Sequence, residues 1–323
     1  MQASEEEKNL YGAGIHVIER TDGCTVYQMK TGDGEGVMTS YRVFAGVELL
    51  YNDFHMSSCF QAVPPNSDMM EINHCREGRF ECEFQSGAYV YMEEGDLAIN
   101  MRSNRTVTSC FPLEHYHGVA VMIDLKEASK SLCSVMDGIS IDLYALRERL
   151  CPNDQCFIMR AKAEIQHIFS ELYTIPREVQ TGYFKLKVLE LLLFLSIPHP
   201  SDHNALKRYF PRRQVEAVKQ IKQYITGNME QRFTLEDLSE QFGIGLTSMK
   251  LCFKGVYGAS VLSFIKSHRM QAAALMLRQT EDSITTIAGK VGYTNASKFA
   301  AAFKDITGLP PLAYRRNPPG IHQ

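Results

Sequence analysis

The spacing of hydrophobic positions changes twice along the chain. From residue 14 to 125 they come in short apolar or alternating runs: 15–18, 25–29, 42–50, 69–74, 79–84, 88–92, 96–101 and 119–123. Turn-forming residues punctuate them at Gly32-Asp33-Gly34, Pro64-Pro65-Asn66, Gly78, Ser86-Gly87 and Glu94-Gly95-Asp96. Alternation with period two puts every second side chain on one face, which predicts strands. Regular short strands without helices between them predict a sandwich or barrel. Helical spacing then takes over. Short helices are predicted over 125–136 and 141–150, and over 161–173, where Ile165, Ile168, Phe169 and Leu172 share one face before Pro176 breaks the run. The stretch 182–196 is apolar on more than one face (Leu186, Val188, Leu189 and 191–195). It must be buried, as core or against a second subunit.

A third pattern fills the last hundred or so residues, where a helix-turn-helix outline occurs twice. The first has Leu235, Leu238 and Phe242 as the inner stripe of a short helix, with Thr234 as N-cap and Asp237 completing an imperfect capping box. Gly243 supplies the turn. In the helix that follows, Met249, Cys252 and Phe253 face inward. Thr247, Ser248, Lys250, Leu251 and Lys254 are left for the groove. The second outline has Ser283 as cap, Ile284, Ile287, Ala288 and Val291 inside, and Gly292 at the turn. Asn295 caps a last helix with Phe299 and Phe303 inside and Ala296, Ser297, Lys298, Ala301 and Lys304 outward. One such outline is weak evidence for DNA reading; two in register are strong. A single helix over 261–278 joins them. Such a connector sets the two reading helices in successive major-groove segments, about 34 Å apart.

Charge follows the same division. Residues 205–323 carry 17 Lys/Arg against 8 Asp/Glu, and residues 1–204 carry 17 against 29. The basic part suits phosphate and the acidic part does not. The acidic N-terminus has no apolar core, so no signal peptide is expected, and the longest apolar run, 188–197, is too short to span a bilayer. Nine irregularly spaced cysteines without a Cys-x-x-Cys fit a reducing compartment. Cys75 and Cys82 near His74 lack a second ligand pair for a metal.

Residues from about 215 to 316 resemble the AraC/XylS family of bacterial transcription regulators. The resemblance rests on Arg269 followed by 272–277, Ile287-Ala288-x-x-x-Gly292-Tyr293, Phe299-x-x-x-Phe303-Lys304, and Gly308-x-x-Pro311-x-x-Tyr314-Arg315. The remainder is similar to that family's usual partner, a cupin-like jelly roll followed by two helices. Met70 to Phe80, followed by Glu94-Gly95-Asp96-Leu97, resembles its effector-domain hairpin. The segment Phe111 to Gly118 resembles a branch that includes siderophore-responsive regulators. Members often carry Arg where this chain has Leu251 and Ala301, so the bidentate guanine contact of Arg is missing at both places. Thr247, Lys250, Ser297 and Lys298 are then expected to carry base discrimination. Leu251, Ala296 and Ala301 are expected against thymine methyls, with more weight on DNA shape. Pro310 stands where Thr is usual. Lys254 and Lys304 are expected on phosphates or else as helix ends favoured by the dipole. Arg269 is expected as an ion pair at the core edge, and Arg315 and Arg316 as caps of the last helix.

In the sensor half, His115 and His117 would leave the same side of a strand, and with His74 they outline a cupin-type metal site, an effector contact or a structural cluster. The cupin metal motif fits poorly, because that region reads Asn73-His74-Cys75-Arg76 with Glu77 and Glu81 after it. Gly32-x-Gly34-x-Gly36 is not a nucleotide loop. The expectation is an α+β chain. A cupin-like β-sandwich sensor spans 1–155, a helical dimerisation segment 156–197, a linker 198–212, and an all-α tandem helix-turn-helix domain of AraC type 213–323. Its expected partners are double-stranded DNA, RNA polymerase, a small-molecule effector bound through His74, His115 and His117, and a second copy of itself. The resemblance implies a cytoplasmic activator without enzymatic activity, membrane span, cofactor or bound metal. A metal-dependent cupin enzyme fused to a DNA module and an effector-independent DNA-binding protein are the alternatives.

Overall fold

The computed structural model describes residues 2–59, 66, 68–85, 87–104, 106–135, 141–197 and 209–316. The chain forms two units, Met1–Pro211 and Arg212–Gln323. Of the expected linker, 198–208 lies outside the described residues.

The first unit opens with α1 (Glu5–Tyr11), whose Ser4 and Glu7 form a reciprocal capping box. Twelve antiparallel strands follow among the described residues: β1 (Ile15–Thr21), β2 (Cys24–Thr31), β3 (Gly34–Phe44), β4 (Val47–His55), β5 (Ser58–Cys59), β6 (Met69–Phe84), β7 (Ala88–Glu93), β8 (Asp96–Met101), β9 (Thr106–Cys110), β10 (Tyr116–Asp124), β11 (Phe157–Arg160) and β12 (Tyr209–Pro211). One layer runs β1-β2-β3-β4-β10-β6, then β8 and β11. The 16-residue β6 belongs to two layers. Its first half pairs with β10 and β8, and its second half with β7 and β9, which carry β12 and β5.

The structure corrects two expectations here. Residues 69–74 and 79–84 are one strand, not two, because Gly78 (φ +85), just past a register shift at Arg76, continues β6 instead of ending it. Residues 42–50 are two strands, because Gly46 (φ +76) turns the chain where a side chain would strike the backbone of Ala128. β9 and β11 were not anticipated. β12 lies within the stretch expected as linker.

Helices α2 (Leu125–Val135), α3 (Leu143–Leu150), α4 (Ala163–Leu172) and α5 (Gln180–Ser196) complete this unit. They cover one face of the first layer. Val47, Leu49, Ile72, Val119, Val121 and Ile123 pack there with Ile168, Phe169, Phe184, Leu191 and Leu192. The other face turns inward on a second cluster that includes Met38, Leu50, Phe54, Phe84, Met92, Phe111, Tyr116, Ala120 and Met122. β10 is buried on both faces, which explains its unbroken apolar sequence.

The second unit is helical: α6 (Arg212–Gly227), α7 (Leu235–Gln241), α8 (Leu246–Tyr257), α9 (Val261–Gln279), α10 (Ile284–Lys290), α11 (Ala296–Thr307) and α12 (Pro311–Arg316). α6 packs on α8, and α9 touches α6, α8, α10, α11 and α12. Among the described residues no helix is long and apolar enough to cross a membrane.

Candidate nucleic-acid interface and interior cavity

The two halves of the second unit repeat one local design. Thr234 Oγ1 accepts from the Asp237 N–H at 3.1 Å to start α7, and Ser283 Oγ accepts from the Thr286 N–H at 3.0 Å to start α10. Gly243 (φ +60) and Gly292 (φ +77) turn the chain between helices. α8 and α11 are both 12 residues long, and each ends on a left-handed glycine, Gly258 and Gly308. They start differently: Asn295 Oδ1 accepts from the Lys298 N–H at 2.9 Å, whereas Gly245 offers no side-chain cap.

Met249, Cys252, Phe253 and Val256 are buried beneath α8, and Phe299 and Phe303 beneath α11. That fixes which faces point to solvent. On α8, Thr247, Lys250, Leu251 and Lys254 are exposed and Ser248 is half-buried. Positions 247, 250, 251 and 254 lie on one face. On α11, Ser297, Lys298, Ala301 and Lys304 are exposed, as is the capping Asn295, and Ala296 is half-buried. Leu251 is 63% exposed, a large apolar side chain on the outer face of α8. Other cations of this unit are neutralised internally: Lys266 by Asp305 at 2.5 Å and Lys290 by Asp282 at 2.7 Å. Among the described residues no carboxylate lies within 4.0 Å of Lys250, Lys254, Lys298 or Lys304.

Two arginines differ from expectation. Among the described residues Arg269 has no carboxylate partner; its Nη2 donates to the Gln231 carbonyl while its guanidinium packs against the Gly292 turn, and burial lowers its pKa. With Arg232 Nη2 donating to Thr294 Oγ1 at 3.0 Å, it ties the loop before α7 to the turn after α10. Arg315 donates to the Asp282 carbonyl ahead of α10 instead of capping α12.

The first unit holds a partly open cavity of about 130 Å³, roughly ten times the space one water needs. Its wall is mainly apolar, with Phe54, Phe80, Phe111 and Met122 among the lining residues. Glu71, Arg102 and Asn52 add polarity. Burial raises the Glu71 pKa, while Arg102 pulls it down; burial lowers the Arg102 pKa against the pull of Glu71. Asn52 Oδ1 is buried without a hydrogen-bond partner, while Asn73 Oδ1 accepts from Tyr116 Oη at 2.8 Å. The signal for these residues was in the sequence: Glu71 and Asn73 interrupt an apolar strand at the spacing of one face.

His74, His115 and His117 do not line this cavity. They also do not form one cluster. His74 is buried, stacked on Phe169 with centroids 4.2 Å apart, and its Nε2 meets Gln166 Oε1 at 3.1 Å. Burial pushes its pKa down to about 4. His115 and His117 lie with Glu77 near the surface.

A helix-turn-helix domain model matches residues 238–317. The Tn10 TetD protein of Escherichia coli is 32% identical over 100 residues, which are 31% of this chain and 72% of that protein. An AraC-like transcription regulator of Streptomyces lividans is 31% identical over 86 residues, 27% of this chain and 28% of that protein. Among solved structures, the C-terminal domain of AraT, a response regulator from Geobacillus stearothermophilus, is 31% identical over 33% of this chain and 93% of its own, with a TM-score of 0.30. With its duplicated helix-turn-helix and these relatives, the chain belongs to the AraC family of helix-turn-helix transcription regulators.

Proposed function

We propose that this chain is an effector-responsive, cytoplasmic transcription activator that reads two successive major-groove segments with α8 and α11. One observation carries the DNA reading: the two equivalent helix faces expose Lys250, Lys254, Lys298 and Lys304 without an internal carboxylate, while neighbouring lysines are paired off. Thr247, Ser248, Lys250, Asn295, Ser297 and Lys298 face base edges, Leu251, Ala296 and Ala301 face thymine methyls, and Lys254 and Lys304 face phosphates.

The first unit is the sensor. Two antiparallel layers sharing β6 around a cavity support a cupin-like reading of residues 1–155. The cavity, rather than the three histidines, is the effector site. It suits a small, mostly apolar molecule with one group that donates to Asn52 Oδ1. α5 is the dimerisation helix, because Leu186, Leu193, Phe194 and Ile197 remain exposed on it and beside it. Effector binding works through a difference in affinity between two states of the dimer, one of which engages RNA polymerase.

The test is capture of genomic fragments by the purified full-length protein, sequenced at two salt concentrations. Enrichment of a few promoter sites, falling steeply as salt rises, is the expected result. Even recovery of all fragments would overturn the reading.

A further inference from the structure

Asp53 and His55 stand two residues apart on β4 and leave the same face. His117 on β10 is the register partner of Asp53. The three side chains converge. His55 Nε2 and His117 Nε2 each lie 3.0 Å from Asp53 Oδ1, and 3.4 Å from one another. Phe54, between the two β4 residues, points the other way into the cavity, so this cluster is separate from the effector site.

The geometry points to a binding site for a single divalent transition-metal ion, Zn²⁺ in the first instance, formed by Asp53, His55 and His117. Ligands about 2.0–2.1 Å from a tetrahedral zinc stand about 3.3–3.4 Å apart, close to the sides of this triangle. Here both Nε2 atoms face the same Oδ1 and each other. A single cation between them would take one lone pair from each ring and the charge of the carboxylate.

The surroundings fit the same assignment. Glu77, the register partner of His117 on β6, has its Oε2 3.8 Å from His117 Nδ1. At that distance Glu77 makes no hydrogen bond to the ring but places a negative charge beside its far nitrogen. The side chains of Asp53 and His55 are 58% and 63% exposed, so a fourth position is open to water. Two imidazoles and one carboxylate suit zinc and its neighbours rather than magnesium or calcium, which take oxygen ligands. Bound there, the ion would clamp β4 to β10 from outside the cavity.

Zn²⁺ titration of the chelator-treated, thiol-reduced full-length protein tests the assignment by calorimetry, with Co²⁺ absorption beside it. One site per chain is expected, with cobalt bands of a nitrogen–oxygen set and no thiolate charge transfer. His55→Ala and His117→Ala should each weaken binding at least tenfold, and Glu77→Gln by less than either. His16→Ala, on β1, should leave it unchanged. All four side chains are at or near the surface, so the fold survives these changes. Unchanged affinity and stoichiometry in both His55→Ala and His117→Ala would overturn the assignment and move the zinc to cysteines. Absence of binding up to about 1 mM Zn²⁺ would overturn it outright.

Discussion

Gly243 and Gly292 hold equivalent turns but different surroundings. Both have positive φ, so any side chain there costs about 1–2 kcal/mol in backbone strain. A Cβ at Gly243 meets nothing within 4 Å; one at Gly292 comes within 2.7 Å of both Arg269 and the Met229 carbonyl. Gly292→Ala is therefore expected to cost at least about 1 kcal/mol more than Gly243→Ala, read as the difference in their denaturation midpoints. Arg269→Ala should relieve part of that excess when combined with Gly292→Ala. His74 gives a second residue-scale expectation. Its folded pKa of about 4 lies below its unfolded value of 6.5, so it takes up a proton on unfolding. Its contribution is complete above about pH 6.5, shrinks as pH falls through the window to about 4, and is absent below it. The size is on the order of 3 kcal/mol. Urea midpoints of the wild type and His74→Gln should converge as pH falls from 7 to 4; a constant gap would show that His74 is not neutral in the fold.

Among elements, the reading helices were the most legible. Inner residues repeat at helical spacing, Thr234, Ser283 and Asn295 cap α7, α10 and α11, and glycines end α8 and α11, so local chemistry and packing agree at all but the uncapped start of α8. The sheet was harder. A strand states which face is inside but not where it bends, so β6 and the β3–β4 turn depended on contacts with distant partners, Gly118 beside the bulge and Ala128 behind Gly46. The short sequence Ser4-x-x-Glu7 is a local capping signal for α1. The Asp53-x-His55 pair was visible too, but only β-register brings His117 beside it. The helices carry their own prediction. Lys254→Ala or Lys304→Ala should weaken DNA binding evenly across sequences and lower the salt slope by about 1. Lys250→Ala or Lys298→Ala should also alter base preference. Selection of binding sites should return sequences rich in A·T under Leu251 and Ala301; a guanine-rich motif under both helices would refute the thymine-methyl assignment.

For the molecule as a whole, charge and exposure distribute the tasks. Net positive charge lies in the C-terminal part, where acidic residues are few, and the largest exposed aliphatic side chains of the first unit include Leu186, 64% exposed, and Ile197, 61%. If α5 joins two subunits, Leu193→Glu should shift the protein from dimer to monomer in sedimentation at micromolar concentration, with the sheet intact by circular dichroism. A dimer that persists would place the interface elsewhere. β10 then takes on a further meaning. Tyr116, Ala120 and Met122 line the cavity, while the alternate residues Val119, Val121 and Ile123 press on the cluster that holds α4 and α5. The partition between an occupant of the cavity and the helices is thus one strand thick. A molecule that fills the chamber needs no relay of loops or hinges to be felt on the far side. On the proposed sensing role, a displacement of this single backbone, with neighbouring side chains on opposite faces, would deliver it.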